Sequence, residues 1–145
     1  MKKEESLHLA ICRYIALQYP KAIFNTDLSG IRLTMGQSMA VKRMRSSNSF
    51  PDISIYEPRG PYFGLFIELK HMDARLLRKD GYLVADDRIK NQNKMLHDLS
   101  ERGYLARFCQ GHDQTIELIE WYMSQGDPNL KFDRIPPIPL YHEKK

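Results

Sequence analysis

The sequence predicts an α/β domain in which helices cover a mixed sheet. Three observations carry that expectation. Apolar residues at helical spacing open the chain, two runs of aliphatic residues at alternate positions fill its middle, and a helix–strand–helix pattern follows. Leu7, Ile11, Tyr14 and Ile15 fall on one helical stripe between Glu4 and Tyr19, and Pro20 ends it. Residues 22–26 form a short strand candidate. The stretch "TDLSGIRLTMGQSMAVKRMRSSNS" is mixed and reads as a strand end, a short helix and a loop. Strands are expected over 52–57 and 62–70, joined by "EPRGP". An excursion over 73–86 carries an Asp-Gly turn between short apolar runs, which signals a hairpin. A helix over 88–102 ends at Gly103, a strand covers "YLARFC", and a helix over 113–123 has Asp113 as its expected cap. The segment 126–145 is rich in proline and reads as an extended tail on a domain spanning 1–125.

Bulk properties narrow the class. With 42% hydrophobic and 28% charged residues in 145, the chain can bury one core. No apolar run reaches membrane-span length, and the N-terminus lacks a cleavable-leader pattern. Cys12 and Cys109 stand far apart and read as reduced thiols. A net charge of +4 permits a polyanionic partner without requiring one.

The chemistry concentrates in "SFPDISIYEPRGPYFGLFIELK". On the first strand Asp52, Ser54 and Tyr56 share a face. On the second, Phe66, Glu68 and Lys70 do so. The opposite faces carry Ile53, Ile55, Leu65, Ile67 and Leu69, which define a core surface. A hairpin centred on Gly60 sets Asp52 across from Glu68; a slip by one residue would oppose apolar to charged positions. Directly opposed Cβ atoms lie roughly 4.5–5.5 Å apart, where two carboxylates repel and a hard divalent cation, Mg²⁺ or Mn²⁺, would relieve them. Lys70, two residues on, would then meet an attacking water or the charge growing on a phosphate. A surface salt bridge on a solvated sheet face is the competing explanation of the same three residues.

Pro51-Asp52 and Glu68-Leu69-Lys70, in this order, resemble the PD-(D/E)XK nuclease superfamily, whose restriction-endonuclease-like core runs αβββαβ as read above. More narrowly, "FPDISIY", "GLFIELK", "NQNKMLHDLSERGY" and "ARFCQGHDQTIELIEWYM" resemble a stand-alone, phage-type VRR-NUC (virus-type replication–repair nuclease) domain over nearly all of 4–123. The resemblance implies that Asp52, Glu68 and the main-chain carbonyl of Leu69 hold Mg²⁺ or Mn²⁺. It implies that Lys70 is the catalytic lysine, that Gln92 approaches the same site, and that Glu5, or alternatively Glu4, adds a ligand from the first helix. Relatives often carry glycine where this chain has Phe50. It further implies an endonuclease acting on DNA, branched DNA such as four-way (Holliday) junctions among its substrates, a homodimer, and a phage or prophage gene expressed in a bacterial cytoplasm.

Other residues carry weaker signals. Lys42, Arg43 and Arg45 would grip phosphates beside the site or sit on a solvated loop. Arg75, Arg78 and Lys79 decorate the excursion, and Asp86 and Asp87 read as helix caps. His71, next to Lys70, is expected on the opposite face and away from catalysis. The five histidines and two cysteines show no zinc spacing. The alternatives in function are a non-catalytic DNA-binding module on the same fold and a nuclease for single-stranded or linear nucleic acid.

Overall fold

The computed structural model describes residues 3–27, 33–126 and 135–145. Part of the mixed stretch (28–32) and of the tail (127–134) lies outside the described residues. The order of elements is α1 (Lys3–Gln18), β1 (Phe24–Thr26), α2 (Met35–Arg43), β2 (Ile53–Ile55), β3 (Leu65–Lys70), α3 (Asp87–Glu101), β4 (Leu105–Gln110) and α4 (Gly111–Ser124). The strands form one sheet in the order β1-β2-β3-β4. β2 runs antiparallel to both β1 and β3, whereas β4 is parallel to β3. A parallel neighbour needs a crossover, and α3 supplies it.

The hairpin register is the one that alternation predicts. Ile53 pairs with Ile67, Ser54 with Phe66 and Ile55 with Leu65. Those apolar side chains are buried and meet Ile11 and Ile15 of α1 and Leu118, Ile119 and Tyr122 of α4, forming the larger core on one side of the sheet. On the other side Ala106 and Phe108 of β4 pack against Ile89 and Leu96 of α3 and against Leu76 and Leu83 of the excursion. The sheet is therefore covered on both faces at β4. The polar face of β2 and β3 is left for Asp52, Ser54, Glu68 and Lys70.

The excursion is a small hairpin, with Leu77 bridged to Leu83 and Gly81 at φ +85° in its turn, a backbone state that glycine tolerates. Residues 135–145 have no helix or strand but lie on the domain. Ile138 is buried, its carbonyl accepts from Arg107 Nε at 2.9 Å, and the His142 carbonyl accepts from the Leu83 amide at 3.0 Å. Asp86 caps α3 as expected, accepting from the Ile89 amide at 3.0 Å. Asp113 does not cap α4. That helix starts two residues earlier at Gly111, so Asp113 sits inside the first turn, where its charge still suits the helix dipole.

Candidate metal and phosphodiester site

Asp52 directly precedes Ile53, the first paired residue of β2, and is clamped from both sides. Its carbonyl accepts from the Asp27 amide at 2.9 Å, and its Oδ2 accepts from the Leu69 amide at 2.7 Å. The first contact comes from the chain following β1, the second from β3, so the position of this carboxylate is fixed by the sheet itself. Extending the register by one pair places Glu68 opposite, on the same face. Glu68 Oε1 accepts from Gln92 Nε2 at 3.0 Å, a buried bond from the second turn of α3. Because a carboxylate only accepts, this bond fixes the amide orientation. It leaves Gln92 Oε1 without a hydrogen-bond partner among the described residues. Lys70 follows on the same face, nearly buried at 6% exposure, with its charge acting on both carboxylates.

The electrostatics are those of crowded acids. Burial is the main cause that raises the Glu68 carboxyl well above its ordinary range; Asp52 pushes it further up, and Lys70 and Arg88 oppose. Burial also raises Asp52, against the Leu69 amide, its hydrogen bond with Glu68, His8 and Lys70. Both shifts point the same way, and the larger one belongs to Glu68.

These residues open into a cavity of about 530 Å³. Its walls include Asp52, Glu68, Leu69, Lys70 and Gln92, so the structure brings together the set read from the sequence. Glu4 and Glu5, at the exposed start of α1, both line it. Neither joins the acids closely: among the described residues no group of three or more His, Cys, Asp and Glu side chains is placed to hold an ion. The donors at the centre are thus two carboxylates, with the Leu69 carbonyl beside them. In a strand the N–H and C=O of one residue point to the same edge, so the Leu69 carbonyl faces the side where its amide meets Asp52.

Several positions differ from expectation. His71 lies just past the end of β3, where strand alternation no longer governs direction. It lines the cavity, and its Nδ1 is buried without a hydrogen-bond partner among the described residues. Arg45 pairs with Asp27 at 3.1 Å, both side chains mostly buried, and lies 5.9 Å from the Phe50 ring centroid. It holds the turn before Pro51 in place. Lys42 and Arg43 are exposed at the end of α2 and do not line the cavity.

Five wall residues were missed by sequence reasoning, Asn48 and Ser49 of the loop before Pro51 among them. His8 lies one turn beyond Glu4 and Glu5 and is held at 3.1 Å from Thr26 Oγ1. Arg88 lies one turn before Gln92 on α3. Lys3 is paired with Asp73 at 2.6 Å across the rim. The signal for His8 and Arg88 was helical spacing from residues already singled out.

A four-stranded mixed sheet with helices on both faces and acids converging on its central hairpin defines a restriction-endonuclease-like fold. A solved structure described as a "VRR_NUC domain protein" superposes with a TM-score of 0.62 at 22% identity, covering 95% of this chain and 98% of that one. The chain therefore has the VRR-NUC fold, and the likeness read from the sequence is borne out at the level of fold. No family model and no curated protein matches the sequence.

Proposed function

We propose that this chain is an Mg²⁺- or Mn²⁺-dependent endodeoxyribonuclease. The observation that carries the reading is the convergence of Asp52, Glu68, Lys70 and Gln92 from two strands and a helix onto one cavity. The donor set suits a hard cation. It is all oxygen, it carries two carboxylates, and desolvation raises the proton affinity of both, with Asp52 raising that of Glu68 further. A surface salt bridge accounts for neither that burial nor the glutamine bond. Asp52, Glu68 and the Leu69 carbonyl would hold the ion. Glu5, or Glu4, would reach it from α1, directly or through water.

When bound, the cation supplies a polarised phosphate and an acidified water at neutral pH. The chain's own residues do the rest. The Leu69 amide and Gln92 Nε2 keep both carboxylates in place and so preorganise the site. Lys70 brings a positive charge to where negative charge grows on the phosphoryl oxygens. Hydrolysis adds the oxygen of water to phosphorus and breaks one P–O ester bond, the departing oxygen gaining a proton. Arg88 on the cavity wall, and Lys42 and Arg43 beyond it, would attract the flanking phosphates.

The resemblance to stand-alone VRR-NUC domains favours branched DNA, such as four-way junctions, as substrate. Symmetric cleavage of a junction needs two such sites, so the active form would be a homodimer. No described helix is long and apolar enough to cross a membrane. A substrate panel tests the reading: four-way junction, linear duplex, single-stranded DNA and RNA, each with Mg²⁺, with Mn²⁺ and with EDTA. Cutting of junctions with either metal and none in EDTA is expected. Cutting that survives EDTA removes the metal from the proposal. Binding without cutting under every condition favours the non-catalytic DNA-binding module.

A further inference from the structure

The metal-site cavity continues into a second groove, which shares Asn48 and Ser49 with it. One wall is the loop 46–49, and the other is the flank of α3 carrying Asn91, Lys94, Met95 and Asp98. The groove has a direction. Gln92 stands at the level of Glu68, and Asp98 lies six residues further along α3, about 9 Å away. The helix runs back down the sheet, because it must return the chain to the start of β4 beside Leu65. So the groove descends from the acids towards Phe66, two residues and about 7 Å before Glu68 on the same face of β3.

At that level the sheet face changes character. Tyr56 lies four residues, about 13 Å, past Asp52 on the same face of β2, and its amide still bonds to the Ile23 carbonyl at 2.8 Å. Its ring meets Phe66 at 6.3 Å between centroids. Phe66 meets Tyr104 at 4.9 Å, and Tyr104 meets Phe63 at 6.0 Å. The two ends of this row are open to solvent, Tyr56 at 49% and Phe63 at 65% exposure. A row of four aromatic rings, exposed at both ends, continues the same strands that carry the carboxylates.

We infer that this groove and aromatic row form a track for an unpaired nucleic-acid strand, one of whose bases stacks on Tyr56, about 13 Å along the sheet face from Asp52. The inference rests on the nuclease reading and specifies its substrate: the strand flanking the scissile phosphate is single-stranded when bound. Three features select that occupant over another protein. The groove is continuous, through Asn48 and Ser49, with the cavity that would hold the phosphate. Its walls offer hydroxyl and amide groups at Ser46, Ser47, Asn48 and Asn91, which suit sugar and phosphate oxygens. Its carboxylate, Asp98, is neutralised by Lys94 at 2.9 Å, so it does not repel an anionic strand. Aromatic faces accept any base, which gives strand selectivity without sequence selectivity.

The test is fluorescence anisotropy without divalent metal, using labelled oligothymidine and a labelled blunt duplex as probes. Tyr56→Ala is expected to weaken oligothymidine binding about fivefold or more, with Tyr56→Phe restoring it and duplex affinity unchanged. Equal losses on both probes, or no loss on oligothymidine, overturn the track while leaving the nuclease reading intact. A change in sedimentation of Tyr56→Ala with no change in oligothymidine affinity reassigns the row to a protein interface and also overturns it. Failure of the wild type to bind any nucleic acid overturns both readings.

Discussion

Lys70→Ala and Asp52→Ala proteins are expected to lose cleavage by at least about a hundredfold while still binding branched DNA. The two losses have different origins. Asp52 is held by the Leu69 amide at 2.7 Å, so its removal takes away a fixed oxygen donor. Lys70 touches the same centre through charge, and its removal leaves the phosphate's growing charge without a nearby ammonium. Binding survives because most affinity for DNA comes from phosphate contacts spread over the surface. Cleavage and gel-shift assays on one four-way junction check both halves. Wild-type cleavage rates in both variants defeat the site assignment. Lys70→Ala also leaves the buried Glu68 and half-buried Asp52 without their neighbouring ammonium, so circular dichroism must show the variant folded before its activity is read. Asp52→Asn, which keeps an oxygen for the Leu69 amide, is the companion that preserves local geometry.

Glu68→Gln is expected to be inactive and, in EDTA at neutral pH, more stable than the wild type by about 1 kcal/mol or more. Glu68 is buried opposite a second acid, and its folded carboxyl holds a proton more tightly than in the unfolded chain. Such a group contributes stability that is fully present below the unfolded carboxylate pKa, about 4.3. That contribution fades as pH rises through the raised folded value. The advantage of Glu68→Gln should therefore be small in acid and grow towards neutrality. The remaining Asp52 and Lys70 form a balanced pair. Divalent cation reverses the order, because it stabilises only a protein that binds it, by about 2.7 kcal/mol at a hundred times its dissociation constant. Thermal unfolding of both proteins across pH, with EDTA and with Mg²⁺, reads the crossover. A variant less stable than wild type in EDTA at every pH contradicts the crowded-acid account.

Much of this was legible in the residues. The hairpin register followed from parity and the turn: a one-residue slip would oppose apolar to charged positions, and centring on Gly60 sets Asp52 opposite Glu68, as the pairing of Ile53 with Ile67 implies. Gln92 was implied only by the resemblance to VRR-NUC domains; the structure carries it over Glu68 because α3 packs against β4. What escaped lay where periodicity stops or where contacts are long-range. His71 follows the last strand residue, so alternation misplaced it. Arg45 looked like a free cation, and only the return of the chain beside β1 reveals its pairing with Asp27. The docking of 135–145 through Ile138 and the Arg107 bond depends on surfaces that no local pattern announces. The first helix posed a different problem: its acids reach the cavity wall, yet spacing alone does not say whether Glu4 or Glu5 would meet an ion.

The central claim is that Asp52 and Glu68 share a divalent cation. Crystals soaked in Mn²⁺ and measured for anomalous scattering test it most directly. The expected result is a peak between the two carboxylates, about 2.1–2.2 Å from an oxygen of each and close to the Leu69 carbonyl, and no peak there in Asp52→Asn. A fully active protein whose Mn²⁺ binds elsewhere, leaving that position empty, contradicts the account.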